Sequence, residues 1–206
     1  MRGRLDRSLV PGRAAGPFYG WRLGWELPAL VTRTGGGTSA LRAVEIDTTP
    51  PGGPLADVPE PEVARRLREG HRLYQLRVGG ELAAYGWAAT GPAHIGGLDL
   101  FFTVPPGEHY LWDFMTLPAF RGRGLYPLLL QEIVRRELDE VEWFWIGHES
   151  RNEASRRGIL KAGFKLAGYL WRLPDGELAF VGAQEAGPET ARRAARALGL
   201  RLAAGA

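Results

Sequence analysis

The segment LWDFMTLPAFRGRGLYPLLLQEIV, residues 111–134, carries the strongest chemical signal in the chain. Residues 110–117 are apolar at positions facing both ways, which reads as a central β-strand. Pro118 and the quartet Arg121-Gly122-Arg123-Gly124 follow, and an amphipathic helix then begins. A helix start leaves its first backbone N–H groups unpaired and carries the positive end of the helix dipole. Such a loop suits an anion of the pyrophosphate type. Gly122 and Gly124 would let the backbone come close to that ligand, and Arg121 and Arg123 would add charge-assisted hydrogen bonds. The loop has neither the Gly-Lys-Ser/Thr ending of a P-loop nor the three-glycine spacing of a dinucleotide fingerprint. Taken alone, RGRG also reads as a plain turn or as an RNA contact.

The elements that must position this loop can be read on either side of it. Residues 18–31 suggest an early strand or strand pair, 34–39 (TGGGTS) a turn, and 41–46 another strand. PPGGP at 50–54 breaks the chain before a polar helix at 60–69. Residues 73–78 and 81–89, joined by Gly79-Gly80, read as a β-hairpin. Residues 98–104 form a further strand closed by PPG. Beyond the loop, a helix at 125–138 turns Leu129, Ile133, Val134 and Leu138 inward, and Pro127 fits its first turn. A strand at 141–146 follows. Asn152 then caps a short helix running to Lys161, which Gly163 stops. Late strands at 169–173 and 178–181 precede an Arg-rich segment that can form a last helix. The order predicts a mixed α/β architecture. We expect a loose arm at 1–17, one domain at 18–182 and a basic tail at 183–206.

Composition narrows the function classes. The 206 residues are 45% apolar and 24% charged, ordinary for one folded domain. No apolar run reaches the roughly 18 residues of a membrane span. The N-terminus lacks the apolar run of a secretory signal, so a cytoplasmic location and no membrane partner are expected. Cysteine is absent, which removes thiolate nucleophiles and zinc-thiolate sites. Of the 26 basic residues, four Arg lie in 1–13 beside Asp6, and four more lie in 190–206 with no acid. That leaves 18 basic against 22 of the 23 acidic residues between them. The body is mildly acidic, so nucleic acid is not the expected partner, and the basic ends read as solubilising.

The loop and a second motif, HESRNEASRRGILKAGF at 148–164, together resemble the GNAT superfamily of acyl-CoA-dependent N-acyltransferases. Arg121, Gly124 and Tyr126 fall on that family's Gln/Arg-x-x-Gly-x-Gly/Ala loop, with Pro118 before it. Asn152, Ser155 and the Gly163-Phe164 pair fall on its Asn-capped helix. The resemblance is strong over 108–172 and weak over 1–70. It implies a central, mostly antiparallel sheet flanked by helices, with one parallel strand pair that splays apart. It implies acyl-CoA, most simply acetyl-CoA, as co-substrate, an amine of a small molecule or protein as acceptor, and no metal. A homodimer is compatible with it.

Carried over residue by residue, the resemblance implies that the backbone of Phe114, Met115, Thr116 and Leu117 pairs with the pantetheine arm. The amides of Gly122, Arg123, Gly124, Leu125 and Tyr126, with the side chains of Arg121 and Arg123, hold the pyrophosphate. Asn152 and Ser155 line the opposite wall. The chain departs from the family at Tyr126, where Gly or Ala is usual, and at Ile159, where a Tyr commonly serves as general acid. Tyr126 and Tyr169 replace it by residue type only. A base must take the proton of the attacking amine. Asp113 interrupts an apolar strand, where burial would raise its pKa; a structural pair with an Arg is the other reading. His148 and Glu149 follow the next strand, and Glu108 and His109 precede the central one. Trp87, Trp112, Trp143, Trp145 and Trp171 read as core, or as an aromatic acceptor pocket. Gly158, inside a short helix, costs about 1 kcal/mol against Ala, which a close approach by either the cofactor or the sheet would explain. The alternative function is an acyl-CoA sensor with little turnover, suggested by Ile159.

Overall fold

The computed structural model describes residues 12–30 and 44–203. Residues 1–11 of the expected arm and the TGGGTS segment lie outside the described residues. In chain order the elements are β1 (Arg13–Arg22), β2 (Val44–Asp47), α1 (Glu60–Arg68), β3 (Arg72–Val78), β4 (Glu81–Ala89), β5 (Pro92–Ile95), β6 (Leu100–Thr103), β7 (Glu108–Thr116), α2 (Leu125–Glu137), β8 (Trp143–Gly147), α3 (Glu153–Lys161), β9 (Lys165–Arg172), β10 (Leu178–Gly182), α4 (Gly187–Ala197) and β11 (Leu202–Ala203).

Nine strands form one sheet in the order β11-β10-β9-β1-β8-β7-β4-β3-β2. Its neighbours are antiparallel except for two pairs, β7 with β8 and β10 with β11. The sheet is therefore mostly antiparallel, with a parallel pair at its centre and helices on both faces. Alternation along each strand fills two cores. Tyr19, Leu111, Phe144 and Ile146 face α2 and α3, where they meet Leu129, Ile133, Ile159 and Phe164. Phe18, Tyr110, Trp143 and Trp145 face the other way, toward α4. A third cluster, Val63, Leu73, Tyr85 and Trp87, seats α1 on that second face, and Trp112 packs against both it and the α4 core.

Three differences from the sequence reading have physical causes. Arg13–Pro17 is not part of a loose arm, because the strand it begins pairs with β9 as well as β8. The strand read at 98–104 is half of a β5–β6 hairpin with its own two-stranded ladder. The Arg-rich C-terminal segment is not a solubilising tail. Its helix buries Ala191, Ala194, Ala195 and Ala197 against the sheet. Its Arg193 donates to Glu108 at 2.8 Å, and Trp145 donates to the other oxygen of that fully buried carboxylate at 2.5 Å. Part of the basic charge of this segment is thus spent on an internal acid. Glu108→Ala should leave Trp145 without its acceptor and Arg193 with only the exposed Glu142 at 3.4 Å, and should destabilise the protein by about 3 kcal/mol, the lower end of the range for breaking a buried pair. Urea unfolding would measure it, and a midpoint equal to that of the wild type would show the pair to be inert.

His109 is 4% exposed, and burial pushes its pKa down from 6.5 to about 4. The unfolded chain therefore binds this proton first as the pH falls. Stability from His109 is complete above about pH 6.5 and is lost on the way down to about pH 4. His109→Gln should flatten the dependence of melting temperature on pH in that window; an unchanged slope would exclude His109 as its source.

Candidate active site

The parallel pairing of β7 with β8 runs from Glu108↔Trp143 to Leu111↔Ile146 and ends there. β7 continues to Thr116, still paired with β4 through Trp87↔Trp112, Tyr85↔Met115 and Ala84↔Thr116. The register shift between Tyr85 and Trp87 marks a bulge, in which Asp113 takes a φ of 50°. A bulge bends its strand, and here the bend lies where β7 and β8 part. Gly86 makes it feasible: a Cβ there would lie 2.1 Å from the Phe114 ring.

On the α2 face, the gap opens into a cleft of about 540 Å³. Its walls are Phe114, Met115 and Thr116 of β7, the loop residues Arg121, Gly122 and Gly124, Leu125 and Tyr126 of α2, and Asn152 and Ser155 at the start of α3. These are the expected cofactor-side residues except Leu117 and Arg123. The Leu117 amide donates to Ala83 O, and the Arg123 guanidinium bonds Ala119 O and stacks on Phe120. Gly122 and Gly124 have φ of 76° and 79°, which favours glycine. The amides from Gly122 to Tyr126 donate to no backbone carbonyl among the described residues. Nothing lies within 4 Å of where a Gly122 Cβ would stand, so the loop is not plugged. Arg121 is braced by Nε donating to Thr116 O at 3.1 Å.

The sequence reading missed Phe120, Pro127, Ala154, Arg157 and Lys161 on this wall. Arg157 and Lys161 were legible as an i,i+4 pair on the helix that Asn152 caps. That cap is observed, with Asn152 Oδ1 accepting from Ser155 N at 2.9 Å. Within the fold the close neighbour of Gly158, which also lines the cleft, is Tyr126 and not the sheet. A Cβ there would lie 2.2 Å from the Tyr126 ring, whose hydroxyl is 3.2 Å from Ser155 Oγ. Ile159 is fully buried in the core.

On the opposite face lies a cavity of about 700 Å³ under the β5–β6 hairpin. Tyr110, Trp112 and Asp113 of β7 line it, with Arg65, Arg66 and Glu69 near α1 and Glu149 beyond β8. A second cavity of about 460 Å³ adjoins it through Ile95, Tyr110 and Glu149. Asp113 is not buried as expected: the left-handed backbone of the bulge turns its side chain outward, where it is 37% exposed. Its carboxylate accepts from Arg66 at 2.5 Å, and Arg66 lies 4.4 Å from the Trp112 ring. The carboxylate of Glu149 is exposed and has no side-chain partner among the described residues. His148 is occupied at both nitrogens. Nδ1 donates to Glu149 O at 2.7 Å, and the Tyr19 hydroxyl lies 3.2 Å from Nε2. Burial raises the Tyr19 pKa to about 12, which keeps that hydroxyl a donor.

Tyr169 lines a third cavity, beside His148, Tyr19 and Arg156, and is not on the cleft. Glu108 and His109 are buried beneath the sheet's ends. Of the five tryptophans named above, Trp112 faces the cavity under the β5–β6 hairpin and Trp171 the third one, while Trp87, Trp143 and Trp145 are core.

The model of the acetyltransferase (GNAT) family matches residues 39–164, well over half of the chain. The chain belongs to this family. Among solved structures, a GNAT-family acetyltransferase from Colwellia psychrerythraea is 17% identical, covering 77% of this chain and 55% of its own, with a TM-score of 0.45. A GCN5-related N-acetyltransferase from Kribbella flavida is 12% identical over 74% of this chain and 55% of its own, at 0.45. A tandem GNAT protein from the clavulanic acid biosynthesis pathway is 19% identical over 78% and 51%, at 0.44. This chain thus spans little more than half the length of these proteins. No curated protein matches it. β1 and the segment from β9 onward lie outside the matched residues, although they complete the sheet.

The Tyr126–Gly158 contact can be tested without any ligand. Gly158→Ala gains about 1 kcal/mol of helix propensity but forces the ring aside, at a cost of about 1–3 kcal/mol. The single variant should be no more stable than wild type, and Tyr126→Ala in the same chain should recover the gain. Additive effects in the double-mutant cycle would show that the two residues do not touch.

Proposed function

We propose that the protein transfers an acetyl group from acetyl-CoA to a primary amine, and that Glu149 is the base. One observation carries this reading: where the β7–β8 pairing has ended, the consecutive residues Asp113 and Phe114 line, respectively, a carboxylate-bearing cavity on one face and a phosphate-suited cleft on the other.

In this reading the diphosphate of CoA accepts hydrogen bonds from the free amides of Gly122 to Tyr126 and from Arg121. Arg157 and Lys161 add positive charge on the α3 side of the cleft. The pantetheine arm lies along the unpaired edge of β7 at Phe114, Met115 and Thr116, and its thioester reaches the gap. The acceptor enters from the other face as an ammonium ion. Glu149 takes one proton, and the neutral amine attacks the thioester carbonyl. A C–N bond forms, the C–S bond breaks, and the nitrogen gives up its second proton as the thiolate is protonated. A backbone N–H at the end of β7 stabilises the oxyanion. Holding both substrates across one gap supplies much of the rate.

The geometry favours Glu149 over the other candidates. Asp113 faces the same cavity but is engaged by Arg66, and His148 has no free nitrogen. Ile159 cannot donate a proton. A thiol with a pKa near 8.5 is a good leaving group without one, and the Tyr126 hydroxyl is the nearest candidate donor on the cleft. Burial raises its pKa, so it stays protonated at neutral pH.

The test is free-thiol release from acetyl-CoA over a panel of primary amines. Glu149→Gln should lower kcat by roughly 100-fold or more, the range for a general base, with the dissociation constant for acetyl-CoA unaltered. Undiminished kcat would remove Glu149 from the mechanism. Tight acetyl-CoA binding without thiol release over the whole panel would favour the sensor reading instead.

A further inference from the structure

The acceptor-side cavity holds more negative charge than one reacting amine needs. Glu62, Glu69 and Asp113 lie at its α1 end with only Arg65 and Arg66. Arg65 is bound by Glu62 and Glu69 at 2.7 and 2.5 Å, and Arg66 by Glu62 and Asp113 at 2.8 and 2.5 Å. The arginines are therefore spent inside the cluster, and three carboxylates against two guanidiniums leave one negative charge over. Glu149 is a fourth carboxylate in the same cavity, apart from the cluster.

A second observation points the same way. His71 lines this cavity and is 7% exposed. Its Nε2 lies 3.1 Å from Pro92 O, and a carbonyl only accepts, so Nε2 carries the hydrogen. Burial also lowers the His71 pKa, which keeps the ring neutral. Nδ1 is then a buried lone pair with no partner among the described residues, as is the Nε1 donor of Trp112, whose ring lies 5.3 Å away; the natural complement of Nδ1 is an N–H donor. The same cavity is also lined by the aromatic rings of Trp112 and Tyr110 and by Phe101, 71% exposed and stacked on His94 at 3.9 Å. The adjoining cavity carries Arg151, which repels a cation from that direction.

We propose that the acceptor is a linear diamine or polyamine, with one nitrogen at Glu149 beside the gap and a second ammonium at the α1 end among Glu69, Asp113 and His71. The methylenes between the nitrogens cover Trp112 and Tyr110. This proposal rests on the acetyl-transfer reading above and names its substrate class.

The experiment compares 1,4-diaminobutane and 1,6-diaminohexane with butylamine and hexylamine, which keep the chain but lose the second charge. Thiol release from acetyl-CoA by the full chain is the first readout. The better diamine should show kcat/KM about tenfold above its monoamine, as one charge-assisted contact provides. Added salt should narrow that ratio, and Glu69→Gln should narrow it through KM with little change in kcat. Monoamines used as well as diamines, with turnover intact, would overturn the diamine assignment and leave acetyl transfer standing. If no amine releases thiol, the transfer reading falls. Calorimetric titration with 1,6-diaminohexane and hexylamine then decides the cavity: tighter diamine binding supports a cation site, and equal binding overturns it.

Discussion

The parting of β7 from β8 after Leu111 and Ile146 is the constraint on which the site depends. Parallel strands that stayed paired would bury their edges and leave no passage between the faces of the sheet. The bulge at Asp113 bends β7 while β4 holds its other edge, and the missing side chain of Gly86 leaves room for Phe114. The gap is thus built from a short ladder, one left-handed residue and one glycine. The loop on one face and the carboxylates on the other acquire a common meeting point only through it.

The charges follow a similar economy. The excess of arginine near the C-terminus is partly neutralised by Glu108 inside the fold, whereas Arg65 and Arg66 of α1 are held by Glu62, Glu69 and Asp113. What remains available to a ligand is positive at the RGRG loop and negative around Glu149. A doubly functional cleft of this kind suits a reaction between an anionic carrier and a cationic acceptor, and it keeps each on its own side of the sheet.

The hairpin of β3 and β4, the helix α2 and the capped helix α3 were legible because their signals are local: alternation, a 3.6-residue apolar stripe, an Asn cap. The RGRG turn was legible because a strand, two glycines and a helix start are contiguous. Asp113 was misread because a bulge is a property of pairing. Residues 111–116 look like one regular strand with a single acid in it until its pairing with β4 is known, and the Arg66 that binds Asp113 is 47 positions away. The strand at Pro92–Ile95 is too short, and starts with too unfavourable a residue, to be recognised alone. The full span of β1 and the docking of α4 depend on strands distant in sequence, which periodicity does not reach.

The position of β1 has a kinetic corollary. One edge of this strand waits for residues 143–147 and the other for residues 165–172, so Phe18 bridges Gly147 and Gly168 at the middle of the sheet. During synthesis the strand emerges before both of its neighbours and stays without them until residues 143–172 have followed. Contacts so far apart along the chain make closure slow. A nascent segment carrying Phe18, Tyr19 and Trp21 with both edges bare is a natural client for a chaperone.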